Sequence, residues 1–107
     1  MKVFISQPMS GLTEEVVMNE RERAIKVIER RHPKDKIEVI DNYNHNLPEG
    51  SHPLEYLGRD IIMLKDADLV FFVNGFMTAR GCRCELKIAK EYGLNIETEY
   101  VLDIEED

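Results

Sequence analysis

Cysteine, net positive charge and long apolar runs are all scarce in this chain, and each scarcity removes a class of answers. Cysteine occurs twice, as Cys82 and Cys84. A spacing of two is poor for a structural disulfide and tighter than the usual zinc pairs. The expectation is a reduced, cytoplasmic protein without a metal. Lysine and arginine number 14 against 21 aspartates and glutamates, a net charge of -7. A nucleic-acid duplex is therefore not expected as the main partner, because phosphate binding wants a basic surface; a single nucleotide needs only a local site. No apolar run approaches membrane-spanning length, so no membrane partner is expected. After Met1-Lys2 the apolar stretch Val3-Phe4-Ile5 is far too short for a signal peptide. Repeats, linkers and low-complexity tracts are missing as well.

What is present suits one ordinary globular domain over residues 1–107, with 43% hydrophobic and 33% charged residues. Val3-Phe4-Ile5 reads as a buried strand and Ser6–Leu12 as a small-residue turn. Thr13 can cap a helix whose first turn holds Glu14 and Glu15. Val17, Ala24 and Ile28, with Ile25 beside them, form its apolar stripe, and Glu20, Arg23, Lys26 and Arg30 read as a solvated face. Pro33 ends the helix around Arg31-His32. Ile37–Ile40 is a second strand. The turn-rich stretch from Asn42 to Gly50 is the longest loop, a lid or rim. Ser51, with Pro53 behind it, starts a helix with Leu54, Leu57, Ile61 and Leu64 as a core stripe.

Leu69–Val73 is apolar without alternation, as expected of a central parallel strand buried on both faces. Gly75–Glu85 is a strand-to-helix turn, and the helix runs to Gly93. Asn95-Ile96 and Tyr100–Leu102 make a last strand region interrupted by Glu97 and Glu99, before an acidic, frayed end at 103–107. The alternation β-α-β-α-β-α-β predicts a small doubly wound α/β fold, a parallel sheet of about four strands in the order 2-1-3-4 with helices on both faces. Ligands in such sheets bind at the carboxyl ends of the strands, at the switch point between strands 1 and 3.

Two carboxylates stand out against that frame. Glu85 falls in the first turns of the third helix, where the helix terminus favours an ionised acid. Asp60 lies on the rim of the apolar stripe of the second helix, three residues after Leu57 and four before Leu64. Paired carboxylates suit glycosidic cleavage, one attacking the anomeric carbon and the other handling protons, at roughly 5–5.5 Å in retaining enzymes. Other chemistries fit less well. Ser6 and Ser10 have no nucleophile-elbow motif. Ser6–Leu12 has one glycine and lacks the spacing of a Rossmann fingerprint or a Walker loop. His32, His45 and His52 show no metal-ligand spacing. A phosphoacceptor receiver would want acids where Ser6-Gln7 and Asn74 stand.

Three segments resemble the nucleoside 2-deoxyribosyltransferase superfamily, and in particular its short phage and bacterial relatives and the 2′-deoxynucleoside 5′-phosphate N-hydrolases. They are Val3-Phe4-Ile5-Ser6-Gln7-Pro8-Met9-Ser10-Gly11, the stretch from Leu57-Gly58-Arg59-Asp60 through Ala67-Asp68-Leu69-Val70, and Gly81-Cys82-Arg83-Cys84-Glu85-Leu86-Lys87-Ile88-Ala89. The resemblance implies Glu85 as the nucleophile on C1′ of a deoxyribose and Asp60 as the group assisting at the leaving base. It implies a substrate turn of Ser6, Gln7, Met9, Ser10 and Gly11, with Asn74, Gly81 and Arg83 as further binding residues. It also implies a nucleoside or nucleotide substrate, no cofactor, and a homodimer or higher homo-oligomer. Such relatives transfer the sugar to another base or hydrolyse the bond. Many carry a tyrosine in the first strand that orients the nucleophile; Phe4 stands at the matching place, and Arg83 and Cys84 replace the small or aromatic residues usual before the glutamate. Those departures motivate a second expectation, a non-catalytic nucleotide-binding or sensing module on the same fold.

Overall fold

The computed structural model describes residues 1–100. Four strands form one all-parallel sheet in the order β2-β1-β3-β4: β1 (Lys2–Ser6), β2 (Glu38–Val39), β3 (Leu69–Phe72) and β4 (Ile96–Thr98). Three helices connect them, α1 (Glu14–Arg31), α2 (Pro53–Met63) and α3 (Arg80–Glu91). This is the doubly wound α/β architecture that the alternation of elements predicts. The short β2 replaces the longer strand expected at 37–40, because an edge strand pairs on one side only. Of the last strand region, Val101 and Leu102 lie outside the described residues, as does the acidic end.

Side-chain parity on the strands divides the core into two layers. Val3 and Ile5 of β1, with Leu69, Phe71 and Val73, pack against Ala24 and Ile28 of α1. Phe4, with Val70 and Phe72, faces the other way, onto Leu64 and onto Cys82 and Ala89 of α3. Burial of this kind contributes roughly 1.5–3 kcal/mol per large apolar side chain, and the layers cover both faces of β1 and β3, which is why those strands show no polar alternation. β3 leaves the sheet through Gly75, whose φ of +91° a side-chain-bearing residue rarely adopts, into a 3₁₀ turn at Phe76–Thr78 before α3 begins.

The helices differ from expectation in three places. Thr13 does cap α1, accepting from the Val16 N–H at 3.2 Å. Its face expected to be solvated, however, is partly committed, since Arg23 pairs with the buried Glu99 just past β4; at the helix end Arg31 pairs with Glu97 on β4. The acids that interrupt the last strand region are thus its ties to α1. The cap of α2 is His52 rather than Ser51: its Nδ1 accepts from Leu54 N–H at 3.0 Å, while Glu55 reaches back to the His52 N–H at 2.8 Å. The expected core stripe of α2 holds only toward its C-terminal end: Leu54 is 67% exposed and no residue of α2 is fully buried, while Ile61 packs partly buried against the core that Leu64, in the 3₁₀ turn at Leu64–Asp66, enters.

Candidate active site

Parity places the first member of the site. Ser6 points to the same side of β1 as Phe4, toward α3, and is buried at the carboxyl end of the strand. Cys82, Glu85 and Ala89 are the buried face of α3, spaced three and four residues apart, so Glu85 meets that strand end. The Ser6 hydroxyl donates to Glu85 Oε1 at 2.6 Å. Phe4 has no hydroxyl, but two residues on, on the same face, Ser6 supplies one. Ser6 therefore holds the glutamate and is not a free substrate-turn residue.

Asp60 approaches the same point from α2, and each carboxyl is a neighbour close enough to shift the other's proton affinity. Glu85 is 4% exposed. Burial pushes its carboxyl up to about 8, opposed by the Ser6 hydrogen bond and reinforced by the neighbouring Asp60 charge. Asp60 is pushed up to about 6, again by burial, with neighbouring Glu85 and the Arg21 charge pulling it down. Burial and the mutual repulsion of the two carboxylates thus favour a shared proton over two charges. The expectation that the helix terminus keeps Glu85 ionised is corrected here. Glu85 is the sixth residue of α3, past the first turn where the dipole acts, and desolvation outweighs it. Cys82, beside Ser6 and Glu85, is also raised by burial, to about 12, and stays a thiol.

Two further residues complete the site, and the sequence reading missed the part each plays. His45, from the loop between β2 and α2, places Nε2 2.7 Å from Asp60 Oδ1. Like His32 and His52 it shows no metal-ligand spacing, and nothing in a loop's spacing announces a partner fifteen residues on. Arg21 is buried on α1 and does carry a signal: it fills the gap in the stripe Val17-x3-Arg21-x2-Ala24-x3-Ile28. Its guanidinium donates to Gln7 Oε1 at 3.0 Å, Asn42 Oδ1 at 2.7 Å and the Ile40 carbonyl at 3.0 Å. Gln7 in turn donates to the Val17 carbonyl and Asn42 to the Ile5 carbonyl. Gln7 is thereby buried in a clamp that fixes the end of β1, with both ends of its amide engaged.

The remaining residues expected to bind substrate are spread around this centre. Met9 and Leu12 close a turn through the Leu12 N–H and the Met9 carbonyl at 3.1 Å, leaving Ser10 and Gly11 exposed, ahead of the α1 cap at Thr13. Asn74 is exposed beyond β3, and its N–H donates to Glu99 Oε1 at 2.9 Å. Gly81 lies exposed in the first turn of α3. Arg83 points away: it donates to the Met77 carbonyl at 2.9 Å and lines an open cleft of about 250 Å³ with Leu86, Lys87, Lys90 and Glu91, which includes neither member of the carboxyl pair. Among the described residues no cluster of three or more His, Cys, Asp or Glu could hold a metal ion, and no helix is long and apolar enough to cross a membrane.

Fold and site together define a small doubly wound α/β domain with a buried, proton-sharing carboxyl pair at its switch point. The chain belongs to the family described as a domain of unknown function, DUF4406, whose profile matches residues 1–98. No curated protein matches it.

Proposed function

We propose that this protein cleaves or transfers the N-glycosidic bond of a 2′-deoxynucleoside or its 5′-phosphate through a covalent glycosyl–Glu85 intermediate. The observation that carries the reading is the buried Glu85 carboxyl, held by Ser6 at the carboxyl end of β1 with Asp60 as its neighbouring acid. Two carboxyls holding one proton are a nucleophile and an acid waiting to be separated. The sugar enters between them. The Glu85 proton passes to Asp60, and a carboxylate oxygen of Glu85 forms the bond to C1′. As the C1′–N bond breaks, its electron pair goes to the base nitrogen, which takes the proton from Asp60. In the second half, water or another base gives its proton to Asp60 and displaces Glu85. Ser6 stabilises the ionised form of Glu85 throughout.

Incubation with each deoxynucleoside and each 5′-phosphate, with and without an acceptor base, tests this by chromatography of released base. Release abolished in Glu85→Gln supports it; silence across the panel at high protein concentration overturns it. One observation favours a second reading, a nucleotide-binding or sensing module. A Glu85 protonated at neutral pH is a hydrogen-bond donor to a ligand rather than a nucleophile. Saturable binding of a nucleoside without base release selects that alternative. Self-association belongs to the proposal too: Leu54 and Ile62 are 67% and 64% exposed, with Gly58 between them at helical spacing. Sedimentation of Leu54→Glu against the native chain tests it, a lower mass for the variant being the expected result.

A further inference from the structure

His45 is held more firmly than a loop residue needs to be. Three residues of α2 grip it: Asp60 at its Nε2, Tyr56 edge-on against its ring at 5.2 Å between centroids and 83° between planes, and Arg59 through a hydrogen bond to its carbonyl at 3.1 Å. The side chain is 9% exposed, against 17% for Asp60. The loop is also tied down upstream. Asp41 Oδ1 accepts from the N–H groups of Tyr43 and Asn44, and Asn42 donates to the Ile5 carbonyl of β1. Directly after His45, Asn46 has a φ of +57°, a left-handed conformation that costs a side-chain-bearing residue about 1 kcal/mol and that asparagine tolerates better than most. The loop keeps that conformation next to the residue it delivers to the carboxyl pair.

We propose that His45 is the positioning residue of this pair: by donating its Nε2 proton to Asp60 Oδ1 it fixes the Asp60 carboxyl against Glu85 and makes Asp60 the stronger acid. An ionised carboxylate only accepts, so the contact requires the proton on Nε2. A hydrogen bond to the charged form lowers proton affinity, so Asp60 surrenders its proton more readily to a leaving group. The groups facing the pair are Ser6 from β1, Arg21 from α1, Cys82 on α3 and His45 from the loop. Of these, His45 alone both donates to Asp60 and sits on a loop that a ligand could move. The kinetic consequence rests on the glycosyl-transfer reading above; the proton placement does not.

The test separates the two. ¹⁵N shifts of the His45 imidazole in the native full chain report the tautomer. A protonated Nε2 at neutral pH is expected; a bare Nε2 with the proton on Nδ1 overturns the proposal. Carboxyl ¹³C titration of Asp60 then compares the native chain with His45→Phe, which preserves an edge contact to Tyr56 without the donor, and His45→Gln, which keeps an N–H donor. Asp60 is expected to titrate at least about half a pH unit higher in His45→Phe and to return toward the native value in His45→Gln. Coincident titrations in folded variants overturn the inference even if base release is robust. Where base release is measurable, His45→Phe lowers kcat about tenfold with KM little changed and His45→Gln restores part of it; equal losses in both variants would mark a merely structural loop contact. If His45→Phe does not fold, the native tautomer decides alone.

Discussion

A serine hydroxyl 2.6 Å from a buried glutamate oxygen settles much of the chemistry open to this protein. Ser6 lowers the proton affinity of Glu85 while burial raises it, and burial dominates. Ser6→Ala should therefore push Glu85 further up and lower base release by about ten- to a hundredfold near neutrality, with the activity profile displaced to higher pH. The stability effect should be small, near 1 kcal/mol, which urea denaturation can measure. Glu85 itself offers a test that needs no substrate. Its folded-state value of about 8 lies above the ordinary 4.5 of the unfolded chain. Stability from this group is whole below pH 4.5 and is lost as pH rises through 8. Glu85→Gln removes that loss. Between pH 5 and 9 the melting temperature of the native protein should fall further than that of the variant. Parallel curves would mean that Glu85 ionises normally in the folded protein.

At the scale of elements, α1 does more than cover the sheet. Its buried Arg21 is the hub that fixes Gln7 after β1 and Asn42 after β2. Arg21→Ala strands those acceptors together with the Ile40 carbonyl, and the expected cost is about 3–5 kcal/mol in urea denaturation. Arg23 is itself half exposed, but its loss leaves the buried Glu99 carboxylate with only the Asn74 N–H, and replacement by alanine should cost about 1–3 kcal/mol. These elements also mark where sequence is informative. The apolar run of β3 and the period of α1 follow from burial on two faces and on one face, and both were legible. So was the meeting of Glu85 with the end of β1, once strand order was inferred. The orienting hydroxyl lies at Ser6 rather than at Phe4: both face α3, but Ser6 is at the strand end, opposite Glu85, while Phe4 packs deeper in the core. The α2 stripe misled at Leu54 because amphipathic spacing says which residues share a face, but not that the face is covered. His45 and Arg83 were illegible for another reason: a loop's reach and a helix's azimuth are set by tertiary contacts that leave no period in the chain.

Across the whole molecule, the order β2-β1-β3-β4 brings one residue from a strand end, one from each of two helices and one from a loop to a single point. No local motif could do so, since the members are spread from Ser6 to Glu85. The same arrangement explains why a chain of net charge -7 can still hold two carboxyls as neighbours: they are dried by the core, share a proton, and have Arg21 near by to offset the remaining charge. The most direct test of the central claim is intact-protein mass spectrometry after rapid acid quench of the protein mixed with deoxynucleosides or their 5′-phosphates, followed by peptide mapping. The account predicts one added deoxyribosyl or phosphodeoxyribosyl group, located on Glu85 and missing in Glu85→Gln. Base release with no adduct on Glu85 under any quench, or an adduct on another residue, would contradict it.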